Sequence, residues 1–251
     1  NNILLNTQEN VLTGTVTMNG HNVKLINARA VDLGTVNARA LIITARDAIT
    51  QSGVITTNGD SNITAQNVAG DTKYDVTLEN ASNDFGVYLK LTAANASIRD
   101  TNAIELGEST VSGNYTLTAG GAVSDDGDLD IEGTTTISAS GSNVVLDRAT
   151  HDFTGAVAVE GATVELADAN SIVLGTSNVS GTYSVTATTG NITDTGALTI
   201  GTTSSAQTAS FTAGNGEAII LDQVNGSSNP VHDFSGSLTF AASSGNLAGL
   251  T

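Results

Sequence analysis

The chain has 251 residues, no Cys, no Trp, a single Pro and only 4% aromatic residues. Its formal net charge of −17, from 25 Asp+Glu against 8 Lys+Arg, argues against a phosphate-binding surface for nucleic acid, and no apolar run approaches the ~18 residues of a membrane-crossing helix. The missing cysteines exclude disulfides, thiol catalysis and thiolate zinc sites together; the scarce aromatics, each worth ~150–250 Å² of burial, argue against the bulky core of a compact globular domain.

Read from the amino terminus, the chain repeats itself. "ILLNTQENVLTGTVTM" begins at Ile3, "VTLENASNDFGVYLKL" at Val76, "VVLDRATHDFTGAVAV" at Val144 and "IILDQVNGSSNPVHDFSGSLTF" at Ile219. Their shared leucines, Leu5, Leu78, Leu146 and Leu221, lie 73, 68 and 75 residues apart. A second marker keeps the first two intervals: Leu33-Gly34, Leu106-Gly107 and Leu174-Gly175. Long repeats therefore run over about 3–75, 76–143 and 144–218, with a partial one over 219–251, and the chain reads as an excerpt of a longer repeat protein.

Each long repeat divides into three shorter units of 21–28 residues. Inside a unit, apolar and polar residues alternate, as in "AVAVEGATVEL" from Ala156, over strands of three to five residues. Gly, Asn, Asp and Ser bound these strands and supply the turns. No segment keeps a 3.6-residue period with a helix cap. The pattern predicts an all-β fold: one parallel β-solenoid over residues 1–251, with about ten coils of 21–28 residues and three coils per long repeat. Residues stack at ~4.8 Å on their counterparts one coil away, so the rod is ~48 Å long and the marker leucines are expected to line up along its axis.

Candidate sites follow in chain order. Phe85, Phe153 and Phe234 close the phrases Asn83-Asp84, His151-Asp152 and His232-Asp233. A catalytic acid–base group has no reason to be His twice and Asn once. These phrases are read as turns whose Asp accepts backbone hydrogen bonds, while the Phe plugs a corner of the core. "SDDGDLDIEG" carries Asp125, Asp126, Asp128 and Asp130, the candidate calcium ligands. The same carboxylates are the candidates for a glycosidic cleavage site. The matching stretches "TQSGVITTNG" and "TDTGALTIG" show that the turn itself is structural and only its acid load is local. The spacing of a known calcium loop is absent. After Arg99 a single basic residue, Arg148, remains to assist sugar binding, so no enzyme is expected.

The phrases "LGTSNVSGTYSVTATTGNITDTGALTIG", "HDFTGAV" and "LADANSIVLG" resemble the repeats of large bacterial surface exoproteins of the filamentous-haemagglutinin type, most clearly from Asn80 to Gly236. The resemblance implies a right-handed parallel β-helix, export to the cell surface, often by two-partner secretion, and a role in adhesion, biofilm or a surface filament. The expected function is a structural and adhesive module, secreted or on the bacterial surface. Its expected partners are its own kind, end to end or as neighbouring repeats, and a host or environmental surface or glycan; nucleic acid and membrane insertion are not expected. The alternatives are a polysaccharide-acting β-helical enzyme and a calcium-stiffened adhesin, calcium being the sole cofactor considered.

Overall fold

A computed structural model describes residues 1–201, 207–224 and 231–251. These residues form thirty strands, from Ile3–Asn10 to Gly249–Leu250, and no helix. Strands stack in parallel and mostly in register on the strand one coil away. The architecture is a β-solenoid.

The alternation in the sequence explains why these segments are strands. In Tyr115–Ala119, Tyr115, Leu117 and Ala119 point inward and are buried, while Thr116 and Thr118 point outward. The neighbouring coil repeats the arrangement with Thr135, Ile137 and Ala139 inside. Aliphatic side chains fill almost the whole interior, each contributing ~1.5–3 kcal/mol by burial. Tyr115, Tyr183, Phe85, Phe153 and Phe211 are the largest fully buried side chains.

Two ladders run the length of the rod. The first stacks Ile3, Val23, Leu41, Ser61, Leu89 and Leu106. It continues from Ile104 through Val123, Val144, Val164, Tyr183, Ala209 and Leu238. Its eleven steps give a rod of ~53 Å at ~4.8 Å each. Most steps take 17–21 residues; the step from Ser61 to Leu89 takes 28, that from Tyr183 to Ala209 takes 26 and that from Ala209 to Leu238 takes 29. The second ladder stacks Val31, Ile49, Val76, Ala96, Tyr115, Thr135, Val157 and Leu174.

A coil holds two three-residue strands and one five-residue strand, as in Ile49–Gln51, Ile55–Thr57 and Ser61–Ala65. At intervals this order slips against the ladders. The long strand Leu89–Ala93 carries two short strands above it, with Leu106 on Leu89 and Thr110 on Thr92. The long strand Val157–Gly161 does the same, with Leu174 on Val157 and Asn178 on Glu160. Just before each slip, a short strand ends its own ladder: Asp84–Phe85 stacks on Thr56 and Thr57, and Asp152–Phe153 on Asp130 and Ile131.

This slip corrects two expectations. From Val31 to Leu174 the second ladder climbs seven coils while the chain passes through two long repeats. A long repeat therefore spans three and a half coils rather than three. The marker leucines consequently do not line up: Leu78 stacks on Ile98 in the second ladder, whereas Leu146 stacks on Leu166 in the first. Repeat-equivalent residues alternate between opposite sides of the rod.

Candidate functional site at the ladder junctions

Ending a ladder leaves backbone donors inside the protein with no carbonyl above them, an expense of ~1–3 kcal/mol per unpaired group. At each junction a side chain takes the place of the missing carbonyl. The Phe85 N–H donates to Asp100 Oδ2 at 2.8 Å and the Phe153 N–H to Asp168 Oδ2 at 2.7 Å. The other oxygen of each carboxylate accepts the N–H two residues along, from Asn102 at 2.9 Å and Asn170 at 2.6 Å. Both aspartates are buried, and burial raises both carboxyls above the usual range while the backbone donors pull the other way. Near the amino terminus Asn27, 73 residues before Asp100, accepts the Leu12 N–H at 2.8 Å. The shared property is an acceptor aimed at one N–H, not a charge. Sequence reasoning missed Asp100 and Asp168 and assigned the acceptor role to Asp84 and Asp152 instead. The signal available was Asp-x-Asn recurring at residues 100 and 168.

A second set of side chains bridges the bulge that precedes each Phe. In the first junction the Asn80 N–H donates to Gln51 Oε1 at 3.1 Å, which also receives Asn83 Nδ2 at 3.0 Å. Asn83 Oδ1 accepts the Ile55 N–H at 3.0 Å. In the second junction, Asp125 accepts the Asp147 N–H, its Oδ2 lies 3.4 Å from His151 Nε2, and His151 Nδ1 accepts the Leu129 N–H at 3.0 Å. In the third, the Asp222 N–H donates to Asp194 Oδ1 at 3.0 Å, Asp194 Oδ2 lies 3.2 Å from His232 Nε2, and His232 Nδ1 accepts the Leu198 N–H at 3.1 Å. One relay is thus built three times, once from two amides and twice from a carboxylate and an imidazole.

The geometry sets the protonation state. An imidazole nitrogen that accepts an N–H carries no proton, so His151 and His232 are neutral with their proton on Nε2. Burial pushes His151 down to about 4, and burial, followed by the charge of Asp147, pushes Asp125 up to about 6. With one nitrogen held by backbone and the other facing a buried carboxylate, neither histidine presents a free base to a substrate.

The expected calcium ligands do not converge. Asp125 is turned inward, its side chain 2% exposed, because it continues the inward alternation of Val123. Asp128 is held by Arg148 Nε at 2.8 Å and Thr150 Oγ1 at 2.6 Å, two hydrogen bonds that keep its carboxyl below the usual range. Asp126 and Asp130 are exposed. Among the described residues no three His, Cys, Asp or Glu side chains gather into a group suited to a metal ion.

The repeat markers occupy the surrounding positions. Leu78, Leu146, Phe85 and Phe153 are fully buried, Leu221 and Phe234 are partly buried against the core, and Leu5 is 40% exposed in the first coil. A Cβ on Gly34, Gly107 or Gly175 would first meet a side chain, of Thr17, Lys90 or Ala158. The glycines that permit stacking sit one coil later: a Cβ on Gly53 would lie 2.3 Å from the Thr35 nitrogen, on Gly127 2.0 Å from that of Glu108, and on Gly196 2.1 Å from that of Thr176.

Comparison with known proteins agrees with these junctions. A family model described as repeats of unknown function (DUF5649) matches residues 20–92, 93–160 and 161–241. Its divisions fall at the ends of Leu89–Ala93, Val157–Gly161 and Leu238–Ala242, the long strands that close the junctions. No curated protein and no solved structure matches the chain. The three consecutive matches cover most of the 251 residues, and the chain belongs to the DUF5649 repeats.

Proposed function

We propose that this chain is a structural and adhesive module of a secreted bacterial surface protein or filament: a stiff rod that is continued end to end by further repeats of its kind. The observation that carries this reading is the use made of the repeated polar chemistry. Gln51, Asn83, Asp125, His151, Asp194 and His232 all bond to backbone or to one another inside the rod. Chemistry that recurs with the repeat holds the coils together, and the reading accordingly includes no catalytic role.

The parallel, in-register stacking of each described coil on the next supports continuation by further repeats. The resemblance to filamentous-haemagglutinin repeats supports the surface location and an adhesive role towards a host or environmental surface or glycan. Light scattering and electron microscopy of the purified chain over a concentration series test the reading. Linear end-to-end assemblies with a constant cross-section are expected; a monomer at all concentrations with both ends solvated contradicts it.

A further inference from the structure

The three relays occupy equivalent places and differ in one respect: the first contains only amides, the second and third contain a group that can take up a proton. In the first, the order is Asn80 N–H to Gln51, Asn83 to Gln51, and Ile55 N–H to Asn83. Every donor meets an acceptor, and no member titrates. In the second, Asp147 N–H and His151 Nε2–H face Asp125, and Leu129 N–H faces His151 Nδ1. The Leu129 N–H is satisfied only while His151 Nδ1 carries no proton, and Nε2 lies 3.4 Å from Asp125 Oδ2 without hydrogen-bond geometry.

We propose that the second junction is an acid-released latch: a second proton on the His151 ring, at Nδ1, sets donor against donor and frees the Leu129 amide, while the first junction stays closed. A proton on Nδ1 would oppose the backbone N–H it now accepts. The His151 side chain is fully buried, so no solvent replaces the lost acceptor. The charged and titratable groups around His151 are Asp125 and Asp128 on the coil below, Asp147 and Arg148 on its own coil, Asp152 beside it and Asp168 above.

Linkage fixes where the effect is read. The histidine is lowered in the fold, so its contribution to stability is whole above ~6.5 and declines as pH falls towards about 4. Asp125 is raised, so its contribution has the opposite sign and grows as pH falls from about 6 towards ~3.8. The two oppose each other, and the Leu129 amide, bonded to the imidazole and not to the carboxylate, reports the histidine.

Amide hydrogen exchange of the whole chain at pH ~7 and ~4.5, with protection at Leu129 expressed relative to Ile55, tests the proposal. The ratio is expected to fall at acid by about tenfold, the change that accompanies one pH unit of linkage. The double variant Asp125→Gln with His151→Asn copies the first junction. In it Leu129 is expected to stay protected at acid. An unchanged ratio in the natural chain, or an equal loss at Leu129 in the variant, overturns the proposal. If the variant does not fold, imidazole ¹⁵N shifts of the natural chain decide: protonation of His151 together with release of the Leu129 amide supports it, and either event without the other overturns it.

Discussion

A regular coil and a junction use different parts of the residue. Over Tyr115–Ala119 the backbone bonds to backbone, beginning with the Tyr115 N–H to the Thr134 carbonyl at 2.9 Å, and the outward side chains take no part in the ladder. At Asp152–Phe153 one ladder ends, and buried side chains substitute for the missing coil: Asp168 for one carbonyl, His151 for another, with Asp125 beside the imidazole. The difference teaches why the phrase around Phe153 recurs while neighbouring text drifts. Backbone ladders tolerate almost any alternating sequence, whereas a ladder end needs an acceptor of one size at one place.

The sharpest way to break the comparison is to empty a junction. Phe153→Ala is expected to lose ~3–5 kcal/mol through the cavity it leaves, whereas Thr136→Ala on the outward side of a regular coil is expected to stay within ~0.5 kcal/mol of the natural chain; chemical denaturation checks both. Glycines come next. Gly127→Ala drives a methyl into the Glu108 backbone and is expected to cost ~1–3 kcal/mol, while Gly107→Ala meets only side chains, those of Lys90 and Tyr88, and is expected to cost less than half as much in the same assay. Asp168→Ala leaves the Phe153 N–H unpaired, an expected loss of ~1–3 kcal/mol, and Asp168→Asn is expected to recover most of it, because Asn27 performs the same task for Leu12.

The smallest effect is a pH dependence in regular coils. Burial holds Tyr115 and Tyr183 well above the usual phenol range. Their folded forms are raised above the unfolded ones, so stability is whole below pH ~10 and declines as pH rises beyond it. Melting temperature measured from pH ~8 to ~11 is expected to fall, and the Tyr115→Phe/Tyr183→Phe variant is expected to lose less.

Most of the coil was legible in the sequence because a period of two maps directly onto inside and outside. The same rule also reads Asp100, Asp125 and Asp168 as inward, since they follow Ile98, Val123 and Leu166 at the strand spacing. Their charge hid this, because carboxylates are seldom buried without a partner, and the partners here are backbone groups and a histidine from other coils. The half-coil per repeat was not legible. The order of two short strands and one long strand is the same before and after the slip; what changes is which strand lies beneath, and this is decided by pairing between residues about 20 apart, such as Thr92 with Thr110.

Distances between spin labels test that half-coil directly. The chain has no cysteine, so pairs are introduced freely at Asp32, Glu105 and Val173, outward positions 73 and 68 residues apart. Asp32 and Val173 are predicted on one side of the rod, ~34 Å apart across seven coils. Glu105 is predicted halfway along but on the other side, so that its two distances are similar and together exceed the first, each being the hypotenuse of half the first and the width of the rod. Three labels on one line, with Glu105 at the midpoint, would contradict the account.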